Sequence, residues 1–456
     1  MNPELQRNLW LEASPFRLAL IAGLLLLVFA AGSVATTGLM NTPRAALGLY
    51  WFFAVLWGTR SAALSVVVEI RERTWDSQKL SSIGPWTMVW GKLFGATAAN
   101  WFGALVCLPF ILWPVWHDDG AGAALLYGVI LLSLGVFAQA VALLSSLVLI
   151  HRQTGNWRLD MFLCQVAGIG AAFAYYSLWS SIRAFRESGT TTLAWWGHDF
   201  TLGSFHLVSL LLFLGWALIG CWRAMRSELR FANGPYVWLA YLAYVAVYAA
   251  GFYAVFGVEI LGNPSAATHG LRATGARLID ENHIPPISVP LALAGLILMG
   301  SVYGMAFLEA KDPVRLRWLG DQIRTGRWYS AFLAAECWML SYAATLIAGL
   351  ALAILWAGTP AAALAVLAML GFMTRDICIF LLGRMFGGPK GDFGALGILA
   401  ALYLLLPTLL RHAHATFLLI PGPHTDSLLS VMAAWAQGLG FCYWVARVIR
   451  DRAPRS

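Results

Sequence analysis

Long apolar runs divided by short polar punctuation fill most of this chain. Runs of about 20 residues, the length that crosses a hydrocarbon core, occupy 18–40, 46–68, 93–116, 121–150, 159–182 and 203–222. A second set occupies 236–257, 288–308, 330–356, 360–382, 394–410 and 427–446. The pattern predicts an all-α integral membrane protein of about twelve transmembrane helices. The polar punctuation tests that count. If both termini are cytoplasmic, the outer loops hold only Arg44, Arg183, Arg186, Arg272, Arg277 and Arg411 of all the Lys and Arg residues. Every other one falls inside, except Arg60, which lies within a run. Basic residues favour the cytoplasmic side, and one span added or lost in the middle would move every later loop to the wrong side. Both ends are therefore expected in the cytoplasm.

The spans read as two loosely repeated six-helix halves, a first over 18–225 and a second over 226–456, with residues 1–17 as an interfacial segment ahead of them. Two helices into each half stands an acid at a helix end, Glu69 or Glu309. A charged inner segment follows (69–92 and 309–328), and then tryptophan where the next helix begins: Trp86 and Trp90, or Trp328. Arg17 with "LALIAGLLLLVFAAGS" mimics a secretory leader. However, the run continues to Met40 behind Glu4 and Glu12, so a retained first helix is expected. The longest outer segment, 258–288, is too small for a separate domain.

Composition agrees with the membrane reading. Hydrophobic residues make up 60% and charged residues only 11% of the 456 positions, with a mean hydropathy of +0.70, too little polar surface to coat a water-soluble globule. The formal charge of +8 then points to anionic lipid and membrane orientation rather than to nucleic acid. The six cysteines are scattered singly, without CxxC, and suggest neither a disulfide framework nor a zinc site. Three histidines and an acid, His412, His414, His424 and Asp426, share one outer loop. Their irregular spacing and the absence of a supporting Cys leave no metal site assigned.

The stretch "EIRERTWDSQKLSSIGPWTMVWGKLFGA", Glu69–Ala96, is far longer than a loop between two helices needs to be. Residues 71–82 have helix-forming composition with Asp76 and Lys79 at i,i+3, Gly84-Pro85 ends that helix and starts another, and Trp86 and Trp90 share a face. Lys92 is placed to snorkel. A short rigid element between two spans can carry a push from a soluble partner into the membrane. An interfacial anchor is the plainer alternative.

"E-x-x-E-R-T-x-D", a following Leu, a small-residue-Pro turn and "GK" at the next helix resemble the coupling segment of ABC-2 type transporter permeases. "NPELQRNLWLE" is similar to the elbow helix before their first span. The likeness covers about the first 110 residues, and the rest only through span pattern. In that family the segment docks on an ATP-hydrolysing subunit. The resemblance thus implies a permease, an exporter of a bacterial inner membrane, that is not itself an enzyme and holds no cofactor. ATP and Mg would be bound by a partner ATPase, expected in two copies. It implies further that Glu69 caps the second helix, that Glu72 and Arg73 face the partner, that Trp75, Asp76 and Lys79 lie on the docking surface, and that Pro85 sets the turn. The chain departs from the family in having Arg73 where Gly is usual, and in having about twice the usual six spans. No GxxxxGK[ST] occurs, so the ATPase is expected on another polypeptide.

Charges within spans are costly, about 2.5–3.5 kcal/mol each at a helix centre. Arg60 in the second span and Glu336 in the ninth are read as lining or locking a substrate path, paired to each other. Arg375-Asp376 is read as interfacial and mutually satisfied. Two other functions stay open: a secondary transporter, for which deep acids are few, and a membrane-embedded enzyme. For the enzyme, Asp280, Glu281 and His283, or His424 and Asp426, would supply acid and base in the absence of HExxH and GxSxG.

Overall fold

The computed structural model describes residues 2–34, 42–79, 83–149, 157–186, 192–231, 233–253, 287–309, 311–406, 419–420 and 427–452. It forms two compact units, one of Met1–Leu193 with Phe200–Asn233, the other of Ala194–Asp199 with Gly234–Ser456. Both are built from helices, as lipid requires, because a helix satisfies its own backbone polar groups where no water can.

In the first unit, α1 (Pro3–Glu12) and α2 (Pro15–Val34) meet at a 58° bend. Helix α3 runs over Thr42–Arg71 and contains a π-helical stretch, Trp51–Trp57. A π stretch disturbs the regular ladder of backbone bonds. Here the Ala54 carbonyl accepts from the buried Gln139 Nε2 at 2.8 Å, while Gln139 Oε1 accepts from Trp101. Then follow α4 (Trp75–Lys79) and α5 (Pro85–Trp90), which continues as a π turn over Gly91–Gly95. Helices α6 (Ala98–Asp119), α7 (Ala121–Leu149), α8 (Trp157–Arg186) and α9 (Leu202–Glu228) complete the unit. Helix α7 is the most enclosed, with the small residues Ala138, Ala140 and Ala142 on faces where α3, α8 and α9 pack closely.

The second unit holds α10 (Tyr236–Ala250), α11 (Ser288–Leu308), α12 (Pro313–Arg324), α13 (Trp328–Leu333), α14 (Cys337–Leu355), α15 (Pro360–Gly387), α16 (Gly391–Ala400, with a π turn over Ala401–Leu405) and α17 (Leu428–Arg452). Its core is α15, buried almost without interruption from Leu370 to Leu382 and packed against α17.

Among the described residues, a small hairpin, β1 (Thr192–Trp195) and β2 (His198–Thr201), departs from helix in a way the hydropathy pattern does not foretell. Its turn residues Trp196 and Gly197 both have positive φ, the conformation of a two-residue hairpin turn. The tip is fastened to the end of α10 by Trp196 N donating to the Gly251 carbonyl and Trp195 Nε1 to that of Tyr248.

Among the described residues, eight helices are long and apolar enough to cross a membrane. They are α3, α6, α7, α9, α11, α14, α15 and α17, with α1–α2 a ninth if the bent pair is one span. The chain is an all-α, multi-pass membrane protein. The expected spans at 159–182, 236–257 and 394–410 correspond to α8, to the shorter α10 and to Gly391–Leu405, which do not meet the same measure.

Candidate partner-docking site

Helix α3 ends in a reversal whose geometry explains one peculiarity of the sequence. Thr74 N donates to the Glu69 carbonyl and Arg73 N to that of Ile70, the paired bonds of a helix terminus closed by a left-handed residue. That residue is Arg73, at φ 59. The left-handed region costs an L-residue roughly 1–2 kcal/mol, so this is a position at which glycine is favoured. A turn of the same hydrogen-bond pattern closes α12 in the second unit, and there the left-handed residue is Gly326, φ 73. Arg73→Gly is therefore expected to stabilise the protein by about 1 kcal/mol, read as a raised unfolding midpoint in detergent. A lowered midpoint would mean that the Arg73 side chain contributes more than its backbone strain.

Beneath this turn a buried ion cluster ties three elements together. Lys92, in the π turn after α5, is fully enclosed rather than snorkelling. Its ammonium contacts the Glu69 carboxylate from α3, Glu4 from α1 at 3.5 Å and the Ser65 carbonyl at 3.2 Å. Arg7 bridges the same two acids, at 3.0 Å to Glu4 and 2.6 Å to Glu69, and Gln78 of α4 donates to Glu69 at 2.7 Å. Two acids and two bases balance, which is what permits burial of charge.

Helix α1 reaches this cluster because Gly91 and Gly95 present no side chain to it. A Cβ on Gly91 would lie 2.5 Å from Glu4 Cγ, and one on Gly95 2.7 Å from Asn8 Cβ. Asn2 caps α1 and also donates to the Thr87 carbonyl, and Asn8 donates to that of Gly91. The segment that reads as an elbow is thus locked onto the start of the following helix.

The residues singled out in the sequence part into two faces. Trp75, expected on the docking surface, turns inward and is only 4% exposed. Its indole donates to Glu228 of α9, and its ring lies between the ammonium groups of Lys79 and Lys92, 5.7 and 5.2 Å from the centroid. Lys79 is half-buried and bound to Glu228 at 3.2 Å and to Asp76 at 3.6 Å. Glu69 also points inward, and Glu72, not Glu69, is the residue that ends α3. Facing outward are Arg71, Glu72, Arg73, Thr74, Asp76 and Ser77. This is a polar ridge of mixed charge on a base clamped to four helices. Pro85 opens α5, behind which Trp222, Trp86, Trp90 and Phe94 stack in sequence at 5.9, 6.3 and 5.0 Å. Trp86 and Trp90 stay partly exposed, as interfacial anchors do.

In the second unit, Glu309 at the end of α11 accepts from the amides of Cys337 and Trp338, and so caps α14. Glu336 does not sit inside a span, as its place in the apolar run suggested. The chain breaks between α13 and α14, and Glu336 is the residue before α14, with its carboxylate accepting from Trp338 Nε1 at 2.6 Å and 3.7 Å from Arg315 Nε. Burial raises its pKa, against the pull of the Trp338 hydrogen bond. A folded-state value above the unfolded one means that stability is fully present below the unfolded value, about 4.3 for Glu, and is lost as pH rises through the folded value. Glu336→Gln keeps the indole hydrogen bond without the charge. It is expected to match the parent at pH 4 and to unfold at a higher temperature at pH 8. An unchanged difference across that range would show that Glu336 carries no such penalty.

Arg375 and Asp376 lie deep in α15, 2% and 0% exposed, rather than at an interface. The guanidinium donates Nε and Nη2 to Asp376 Oδ1, Nη2 also to Tyr403, and Nη1 to Gln437 and to the Leu419 carbonyl. Asp376 Oδ2 accepts from Tyr303 at 2.9 Å and Tyr403 at 2.5 Å. All five donors and both carboxylate oxygens are engaged, binding α11, α15, α16 and α17. Mutual satisfaction is legible in an adjacent Arg-Asp pair; the two tyrosines and the glutamine are not, because they come from 27 to 73 residues away in the chain. Arg60, by contrast, is exposed on α3 and makes no ion pair among the described residues. Asp280, Glu281, His283 and the His412, His414, His424 and Asp426 cluster lie outside the described residues. Among those described, no group of three or more His, Cys, Asp or Glu could hold a metal.

No family model, no curated protein and no solved structure matches this chain.

Proposed function

We propose that this chain is the membrane-spanning subunit of an ATP-driven transporter of the ABC-2 type, worked by a separate ATPase that seats on the ridge Arg71–Ser77. One observation carries the reading: the wedge after α3 has a wholly polar outer face and an inner face fixed by Lys92, Glu4, Glu69, Trp75 and Glu228 to α1, α3, α5 and α9. Force applied to the ridge is then delivered to several membrane helices at once. A surface anchor has no need of so firm an inner attachment.

On this reading the ridge and both termini face the cytoplasm of a bacterial inner membrane, and transport is outward. The secondary-transporter alternative gains little from the deep carboxylate Asp376, whose oxygens are already taken by four hydrogen bonds. Tagged full-length chain purified from its own host should bring down a Walker-type ATPase. Glu72→Lys with Asp76→Lys should abolish capture while leaving the unfolding midpoint unchanged. Capture that survives charge reversal, or labelling that places Ser77 on the outer side of the membrane, would overturn the proposal.

A further inference from the structure

The second unit also sends a helical segment out between two candidate spans, but its surface chemistry is opposite to that of the ridge. Between α11 and α14 the chain runs as α12, the left-handed turn at Gly326, and α13. Helix α12 is fastened from below by Leu319, which is buried, and by Leu316, which packs on the core around α15. Asp312 caps its first turn, and Arg315 donates to the Ala334 carbonyl. Its outer side is apolar and net basic, the exposed Asp321 standing among the exposed Arg315, Arg324 and Arg327. Val314 and Trp318, one turn apart on a shared face, are 56% and 43% exposed, and Trp328 and Tyr329 at the start of α13 are 65% and 68% exposed. Flanking the Gly326 turn, Arg324 and Arg327 are exposed and make no ion pair among the described residues. The ridge of the first unit exposes no large apolar residue at all, its one tryptophan being turned inward.

Tyr329 shares a side-chain hydrogen bond with Tyr236 of α10, and the boundary between headgroups and acyl chains suits exposed rings and guanidinium groups together. The segment is tethered at both ends to helices long and apolar enough to span the bilayer, so lipid is the partner within reach. We propose that the α12–α13 segment is an interfacial paddle that binds anionic phospholipid. Arg324 and Arg327 take the headgroup phosphate, and Trp318, Trp328 and Tyr329 settle at the acyl boundary. Charge complementarity argues for the anionic class, since basic residues near a membrane surface are attracted by negative and not by zwitterionic lipid. The inference does not depend on the ATPase reading.

Full-length protein in nanodiscs of phosphatidylcholine alone, or of equal parts phosphatidylcholine and phosphatidylglycerol, should be compared by hydrogen–deuterium exchange over peptides covering 314–330. Exchange there should slow by about tenfold in the anionic discs, and Arg324→Gln with Arg327→Gln should erase the difference while leaving the rest of the exchange map unaltered. Equal exchange in the two discs would overturn the proposal. So would protection produced by inorganic phosphate without anionic lipid, which would assign a free anion, or protection seen only when a cytosolic protein fraction is added, which would assign a protein partner.

Discussion

Lys92→Met should cost about 3–5 kcal/mol of stability, the loss expected when one partner of a buried ion cluster is removed and the others stay charged. With the ammonium gone, Glu4 and Glu69 would share only Arg7, whose side chain is 45% exposed and so balances them weakly. The damage should be local first. Helix α1, held by Glu4 and Asn8 against Gly91 and Gly95, should come away, and protease should cut between residues 1 and 14 under conditions that leave the parent intact. Adding Glu69→Gln should restore part of the loss, since one uncompensated charge leaves with it. An unchanged unfolding midpoint with α1 still protected would show that the cluster is not what fixes the wedge. If the proposed coupling holds, Lys92→Met should also weaken ATPase capture, although no outward residue is altered.

A loss of the same size is expected for Asp376→Asn, for a different reason. The Asn side chain can still accept from a tyrosine, but it leaves the Arg375 guanidinium as a bare charge in the most enclosed helix of its unit. Both tyrosines and Gln437 meet at this pair, so α11, α16 and α17 should loosen together around α15, seen as faster hydrogen exchange in all four helices. Arg375→Met combined with Asp376→Leu removes both charges and should recover much of the midpoint. Recovery of stability together with any transport activity would mark the network as a structural fastener. Stability recovered with transport lost would instead give the pair a working role.

The sequence alone determined the solvent of this protein. Hydropathy is a sum over neighbouring residues, and runs of twenty apolar positions suffice to place helices in lipid whatever they pack against. It also determined that the stretch after the second apolar run is a separate short element. Gly84-Pro85 starts a helix by local backbone geometry, and Trp86 and Trp90 fall on one face by helical spacing, so both are readable without a fold. That Arg73 stands where glycine would be easier was not readable from the chain itself, because only its positive φ, 59, shows the strain.

Only the tertiary structure decided which way the charged and aromatic residues face. Lys92 turns inward instead of snorkelling, and Trp75 packs under the wedge instead of upon it, because their partners Glu4 and Glu228 lie 88 and 153 residues away. Burial of a charge is settled by whether distant groups arrive to balance it, and no local pattern carries that information. For the same reason Glu336, apparently inside a run, proves to stand at a helix break, and Arg375 and Asp376, apparently near a surface, proved to be the centre of a core.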